Sequence, residues 1–172
     1  MSDGNSGFNA VFGGVVPTTP TRINRTYGSF RSQLTQGVTL LLPPTNVGLE
    51  YTDESEGISV SSGVIAFDIP GKYMLDATIL FKNNSPTSAN SGYVWIRKNG
   101  SDVDESRRLI TLYESIDTNV LTLSYLVKIE FDSDTIELYF TTSSTDIEIY
   151  YDSSVSGIPN ASSVIVNVFQ IA

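Results

Sequence analysis

From Tyr27 to the C-terminus the chain alternates apolar and polar residues with a period of two, and nowhere sustains the 3.6-residue spacing of an amphipathic helix. Alternation of this kind puts successive side chains on opposite faces of an extended strand. Runs bounded by Gly, Pro, Asn, Asp and Ser predict strands over 28–34, 38–42, 47–52, 57–61, 63–69, 72–82, 92–98, 107–114, 120–131, 134–142, 146–151 and 162–171. Over 72–82, Tyr73, Leu75, Ala77, Ile79 and Phe81 share one face. Over 120–131, Leu121, Leu123, Tyr125, Val127, Ile129 and Phe131 do the same. Many short strands joined by polar turns predict an all-β fold, an antiparallel two-sheet sandwich, with a jelly roll the natural choice for this strand count. At 172 residues such a body buries a core without staples.

The turns have mechanisms. Pro70-Gly71 predicts a type II turn, with Gly71 at positive φ. Asn99-Gly100 predicts a two-residue hairpin, because both residues tolerate positive φ. Asp132-Ser133-Asp134 predicts a polar reversal whose carboxylates accept backbone N–H groups. Two segments, Tyr93-Val94-Trp95-Ile96 and 164–171, are apolar on both faces. A monomeric sandwich buries only one face of each sheet, so the second must be covered by the arm or by another subunit.

Residues 1–27 read as an extended arm and 28–172 as the body. Gly4, Gly7, Gly13 and Gly14 among small polar residues, followed by Pro17-Thr-Thr-Pro20, suit an extended strap. Yet Phe8, Val11, Phe12, Val15, Val16 and Ile23 are too apolar for an inert linker, and Arg22 and Arg25 add charge. Arg22, Arg25 and Arg31 face only Asp3 in the first 31 residues, a net +2 that leaves −11 for the remaining 141. A basic, apolar arm is expected to dock on a protein partner; an acidic body argues against nucleic acid.

The chain has no cysteine and no histidine. Disulfides, thiolate chemistry, the usual neutral-pH general base and the usual transition-metal ligands are therefore missing from its repertoire. The opening Met-Ser-Asp-Gly-Asn-Ser-Gly has neither the basic start nor the apolar core of a secretory signal, and no run is long enough to span a membrane. Synthesis in a cytoplasm follows, and the sequons at Asn24, Asn83 and Asn160 are read as chance matches. Gly57-Ile58-Ser59-Val60-Ser61 ends in Ser where a nucleophile elbow needs Gly. No catalytic residue and no cofactor is assigned. Clustered carboxylates remain: Asp102, Asp104 and Glu105 are the candidates for Ca²⁺, against the alternative of a solvated acidic loop, and Asp53, Glu54 and Glu56 are less specific. Trp95, Tyr150 and Tyr151 suit either a sugar-stacking platform or the core and subunit contacts.

Four segments in order resemble the C1q/TNF-like jelly roll: Ile69-Pro70-Gly71-Lys72-Tyr73 with its following strand, Val94 to Gly100, Leu121 to Asp134 with Ile136 and Leu138, and Ser162 to Ile171. The chain departs from that pattern where Asp132-Ser133-Asp134 lacks the late-turn glycine, where Val168-Phe169-Gln170-Ile171 replaces the aromatic-Gly-aromatic ending, and in having no Gly-X-Y stalk. A signal-less chain with a short arm resembles instead the virion proteins of tailed phages: head fibres, capsid decoration proteins and fibre tips. The resemblance implies a homotrimer, with Tyr93, Trp95, Phe169 and Ile171 as its interface. The expectation is a non-enzymatic structural protein of a virion, anchored to a capsid or other virion protein by its arm. The alternative is a receptor- or carbohydrate-binding module, gripping a cell-surface glycan or protein through the end loops 83–92, 100–105 and 153–163.

Overall fold

The computed structural model describes residues 26–38, 43–114, 117–153 and 156–172. The arm residues Phe8, Val11, Phe12, Val15, Val16, Arg22, Ile23 and Arg25 lie outside these. Among the described residues every regular element is a strand. In chain order they are β1 (Tyr27–Ser32), β2 (Gln36–Gly37), β3 (Thr45–Asn46), β4 (Tyr51–Glu56), β5 (Ile58–Ser61), β6 (Val64–Phe67), β7 (Gly71–Asn83), β8 (Asn90–Lys98), β9 (Ser101–Asp102), β10 (Arg108–Leu112), β11 (Thr118–Ile129), β12 (Thr135–Thr142), β13 (Ile147–Ile149) and β14 (Val164–Gln170).

They form two antiparallel sheets. In the first, β11, β7, β14, β1 and β4 lie side by side; β13 continues along β7 past the end of β14, and β2 pairs with β13. The second runs β5, β6, β12, β8, β10, with β3 beside β12 and β9 beside β8. From β6 onward the chain crosses back and forth between the sheets, winding around one interior as a jelly roll does. The face predicted over 72–82 is buried throughout, Tyr73 to Phe81. Leu121, Leu123, Val127 and Ile129 meet it from β11, and Phe30, Phe67 and Phe140 close the core. Each such aliphatic or aromatic side chain contributes about 1.5–3 kcal/mol on burial.

The structure corrects the sequence reading in four places. Phe131 is 64% exposed, because β11 ends at Ile129 and the next residues belong to a turn gathered by Asp134. Residues 47–50 alternate like a strand but form a crossing: Val47 N–H bonds to Leu138 O in one sheet and Glu50 N–H to Arg31 O in the other. The Gln36 side-chain amide stands in for a neighbouring strand there, accepting from Gly48 N–H at 2.7 Å and donating to Gly48 O at 3.1 Å. Gly71 is not at positive φ; it opens β7, and a Cβ there would lie 2.4 Å from Gln170 Nε2 and 2.9 Å from Ala172 O, so close approach selects glycine. The body also reaches back to Thr26, which is buried and accepts a hydrogen bond from Gln170 N–H.

Two polar side chains organise the ends of the sandwich. At one end Asn83, fully buried, donates to Ser88 O and Tyr113 O at 2.8 Å each and accepts from Ser85 N–H and Asn90 Nδ2. Every hydrogen-bonding valence of its amide is used, and no glycan fits on a buried nitrogen so engaged. At the other end, the Asp134 carboxylate takes Lys98 Nζ at 2.9 Å, Asn99 Nδ2 at 2.8 Å and Glu130 N–H at 2.8 Å. Asn99 Oδ1 in turn accepts from Thr135 N–H. These bonds stitch the β8–β9 hairpin to the β11–β12 reversal.

Asn83→Ala should lower the unfolding free energy by about 3 kcal/mol, since it removes four hydrogen bonds centred on a fully buried amide; urea denaturation checks this. The bonds from Lys98, Asn99 and Glu130 hold the Asp134 carboxyl well below the ordinary carboxylate range. Its native charge therefore stabilises fully above the unfolded-state value of about 4, and that contribution is lost as pH falls below it. Asp134→Asn should cost roughly 1.5–3 kcal/mol at neutral pH, with the gap to wild type narrowing below about pH 4. An unchanged gap at low pH would contradict the assignment.

Candidate functional site

β8 and β12 pair so that Tyr93 faces Thr141, Trp95 faces Tyr139 and Arg97 faces Glu137. Val94, Ile96, Leu138 and Phe140 point into the core, so these six point outward. Three of them, Tyr93, Trp95 and Thr141, form the floor of a groove on the outer face of the second sheet. The Arg97 guanidinium stacks 3.9 Å from the Tyr139 ring centroid, and the Trp95 and Tyr139 centroids lie 6.3 Å apart. Arg107 sits 5.9 Å from the Tyr93 centroid.

The wall is the segment after the Asn99-Gly100 turn. Both turn residues have positive φ, 51° and 77°, as a two-residue hairpin requires. This folds β9 back on the end of β8, setting Asp102 opposite Arg97. Val103 N–H then donates to Ile96 O at 2.9 Å. The fully buried Ser106 hydroxyl receives Ile96 N–H at 3.0 Å and donates to Val103 O at 2.7 Å. The wall is thus fixed to β8 before any ligand arrives. Between wall and floor lies an open groove of about 690 Å³, lined by Tyr93, Trp95 and Thr141, by residues 102–105 and by Arg107.

Asp102 joins the two surfaces. Its Oδ1 accepts from Trp95 Nε1 at 2.7 Å and from Arg97 Nε at 2.5 Å. Arg97 first, and Trp95 second, hold its carboxyl below the ordinary value. Among the described residues no three acidic side chains converge to hold a metal ion. Asp102, Asp104 and Glu105 therefore line a groove without closing into a calcium cage. Asp53 pairs with Arg31 at 2.7 Å, and Glu54 accepts from the Tyr27 hydroxyl.

The residues read as one interface are divided by the sandwich. Tyr93 and Trp95 lie on the outer face of the second sheet, Phe169 and Ile171 on that of the first. There the register sets Leu126, Met74 and Phe169 in one row across β11, β7 and β14. Leu126 is 50%, Phe169 41% and Ile171 50% exposed. The next row is polar: Ser124 donates to Asp76, and Ser29 to Asn167 Oδ1 at 2.8 Å. Trp95 is also remote from the proposed platform partner Tyr150, which belongs with the first sheet beneath Lys82. Of the end loops, 83–92 and 100–105 flank opposite ends of β8, nine residues or about 30 Å apart, whereas Ser163, at the close of loop 153–163, accepts from Leu80 N–H toward the Asn83 end of β7.

Tyr139, Arg97, Arg107 and Thr141 escaped the sequence reading. Outward alternation marks Tyr139 and Thr141 within 134–142, but their partnership with Trp95 and Tyr93 depends on the β8–β12 register, which alternation alone leaves open.

Trp95 is the chain's single tryptophan. Its emission should titrate with Asp102, with a midpoint below the ordinary aspartate value, because protonation weakens the bond to the indole N–H. Asp102→Asn should abolish that transition; a transition that survives assigns it elsewhere. No protein-family model matches the chain, and no curated protein matches it, so what the groove and the apolar row do has to be argued from their own chemistry.

Proposed function

We propose that the chain is a non-enzymatic structural protein of a virion: a jelly-roll knob that forms a homotrimer through the outer face of its first sheet, tethered by residues 1–25 to a capsid or other particle protein. The observation that carries this reading is the apolar row Leu126, Met74 and Phe169 with Ile171 beside it, where three strands of one sheet place part-exposed apolar side chains side by side. Contiguous exposed apolar surface of this kind is the mark of an association face. The trimer rather than a dimer, and the virion setting, follow from the C1q/TNF-like resemblance and from the arm. On this reading Tyr93 and Trp95, on the opposite sheet, stay outside the contact.

Light scattering after size exclusion should give three chains for the full-length protein and for a version beginning at Thr26. Phe169→Asp with Leu126→Arg should yield folded monomers. A wild-type monomer removes the assembly reading. Retained attachment to the particle after loss of residues 1–25 removes the role of the arm.

A further inference from the structure

We infer that the groove on the outer face of the second sheet binds a neutral saccharide. This does not depend on the assembly proposed for the first sheet, since the two faces lie on opposite sides of the sandwich.

The floor offers flat aromatic surfaces, the Tyr93 ring and the Trp95 indole, which pack on the C–H face of a pyranose. The indole is held at a set angle by its bond to Asp102. The wall offers acceptors. Asp104 and Glu105 line the groove with carboxylates that make no hydrogen bond or ion pair among the described residues, and Asp102 has an oxygen beyond the one used by Trp95 and Arg97. Arg107 adds a guanidinium to the same lining.

Charge decides the ligand class. Carboxylates only accept and guanidinium groups only donate. An anion entering here meets three carboxylates. A simple cation meets Arg107, with Arg97 already seated on Asp102. Hydroxyls both donate and accept, so a polyol satisfies both kinds of group and brings no net charge against either. The volume, about 690 Å³, falls within the range of small-ligand sites. Ser106 and Val103 pin the wall in advance, which keeps the ordering cost of binding small.

Trp95 makes the test specific, because no other indole contributes to the signal. The full-length protein is titrated with glucose, galactose, mannose, N-acetylglucosamine and short oligomers of each, with choline as the cationic probe and sialyllactose as the anionic one. The expected result is a saturable change in emission with at least one neutral saccharide, weakened roughly tenfold or more in Asp104→Ala and in Tyr93→Ala. Both variants should keep the wild-type urea midpoint to within a small shift, Asp104 being exposed and Tyr93 outside the core. No saturable change with any neutral saccharide overturns the inference. So does a response to choline or sialyllactose alone, or undiminished affinity in both variants.

Discussion

Contact between the inner faces of the two sheets is the interaction on which everything else in this chain depends. With every described element a strand and no cysteine to form a disulfide, the described strands bury their side chains against another sheet. Strand β7 is central to this. It carries Tyr73, Leu75, Ala77, Ile79 and Phe81 into the interior while pairing with β11 on one edge and β14 and β13 on the other. Removing its inward face would leave both flanking strands without a template and the second sheet without a partner.

A strand has two faces, and the interior uses one. Alternate residues are therefore released from packing, and both candidate surfaces are built from them. Along β14, Val164, Val166 and Val168 are buried while Ile165 and Phe169 look outward; along β8, Val94 and Ile96 are buried while Tyr93, Trp95 and Arg97 look outward. The two outer faces differ in how far they satisfy themselves. On the second sheet Arg97 and Asp102 bind the aromatic rings into a braced polar surface, and on the first the row through Phe169 leaves Leu126 and Phe169 about half exposed.

Much of this was legible in the sequence, and the parts that were not share a cause. Alternation identifies the inward faces of β7 and β11 because burial acts on each residue separately, and Asn99-Gly100 announces its turn because positive φ is a property of those two residues. Phe131 broke the pattern when Asp134, three residues on, captured the backbone and ended the strand. Residues 47–50 alternate as a strand does, yet the Gln36 amide takes the place of the neighbour they lack. Register is the larger gap. A sequence shows that Trp95 and Phe169 both point away from a core, but whether they point the same way depends on which sheet each strand joins, and that is decided by pairing between residues dozens of positions apart.

The same reasoning bears on how the acidic residues are used. Asp102 lies along the outer face and accepts from the Trp95 N–H and Arg97, while Asp104 and Glu105 line the wall. Asp134, at the same end of the sandwich, is occupied in full by Lys98, Asn99 and the turn backbone. One aspartate thus fixes the hairpin from which the wall springs, and the other fixes the aromatic floor against that wall. With these two charges committed to geometry, Asp104 and Glu105 are the carboxylates of the wall left to meet a ligand.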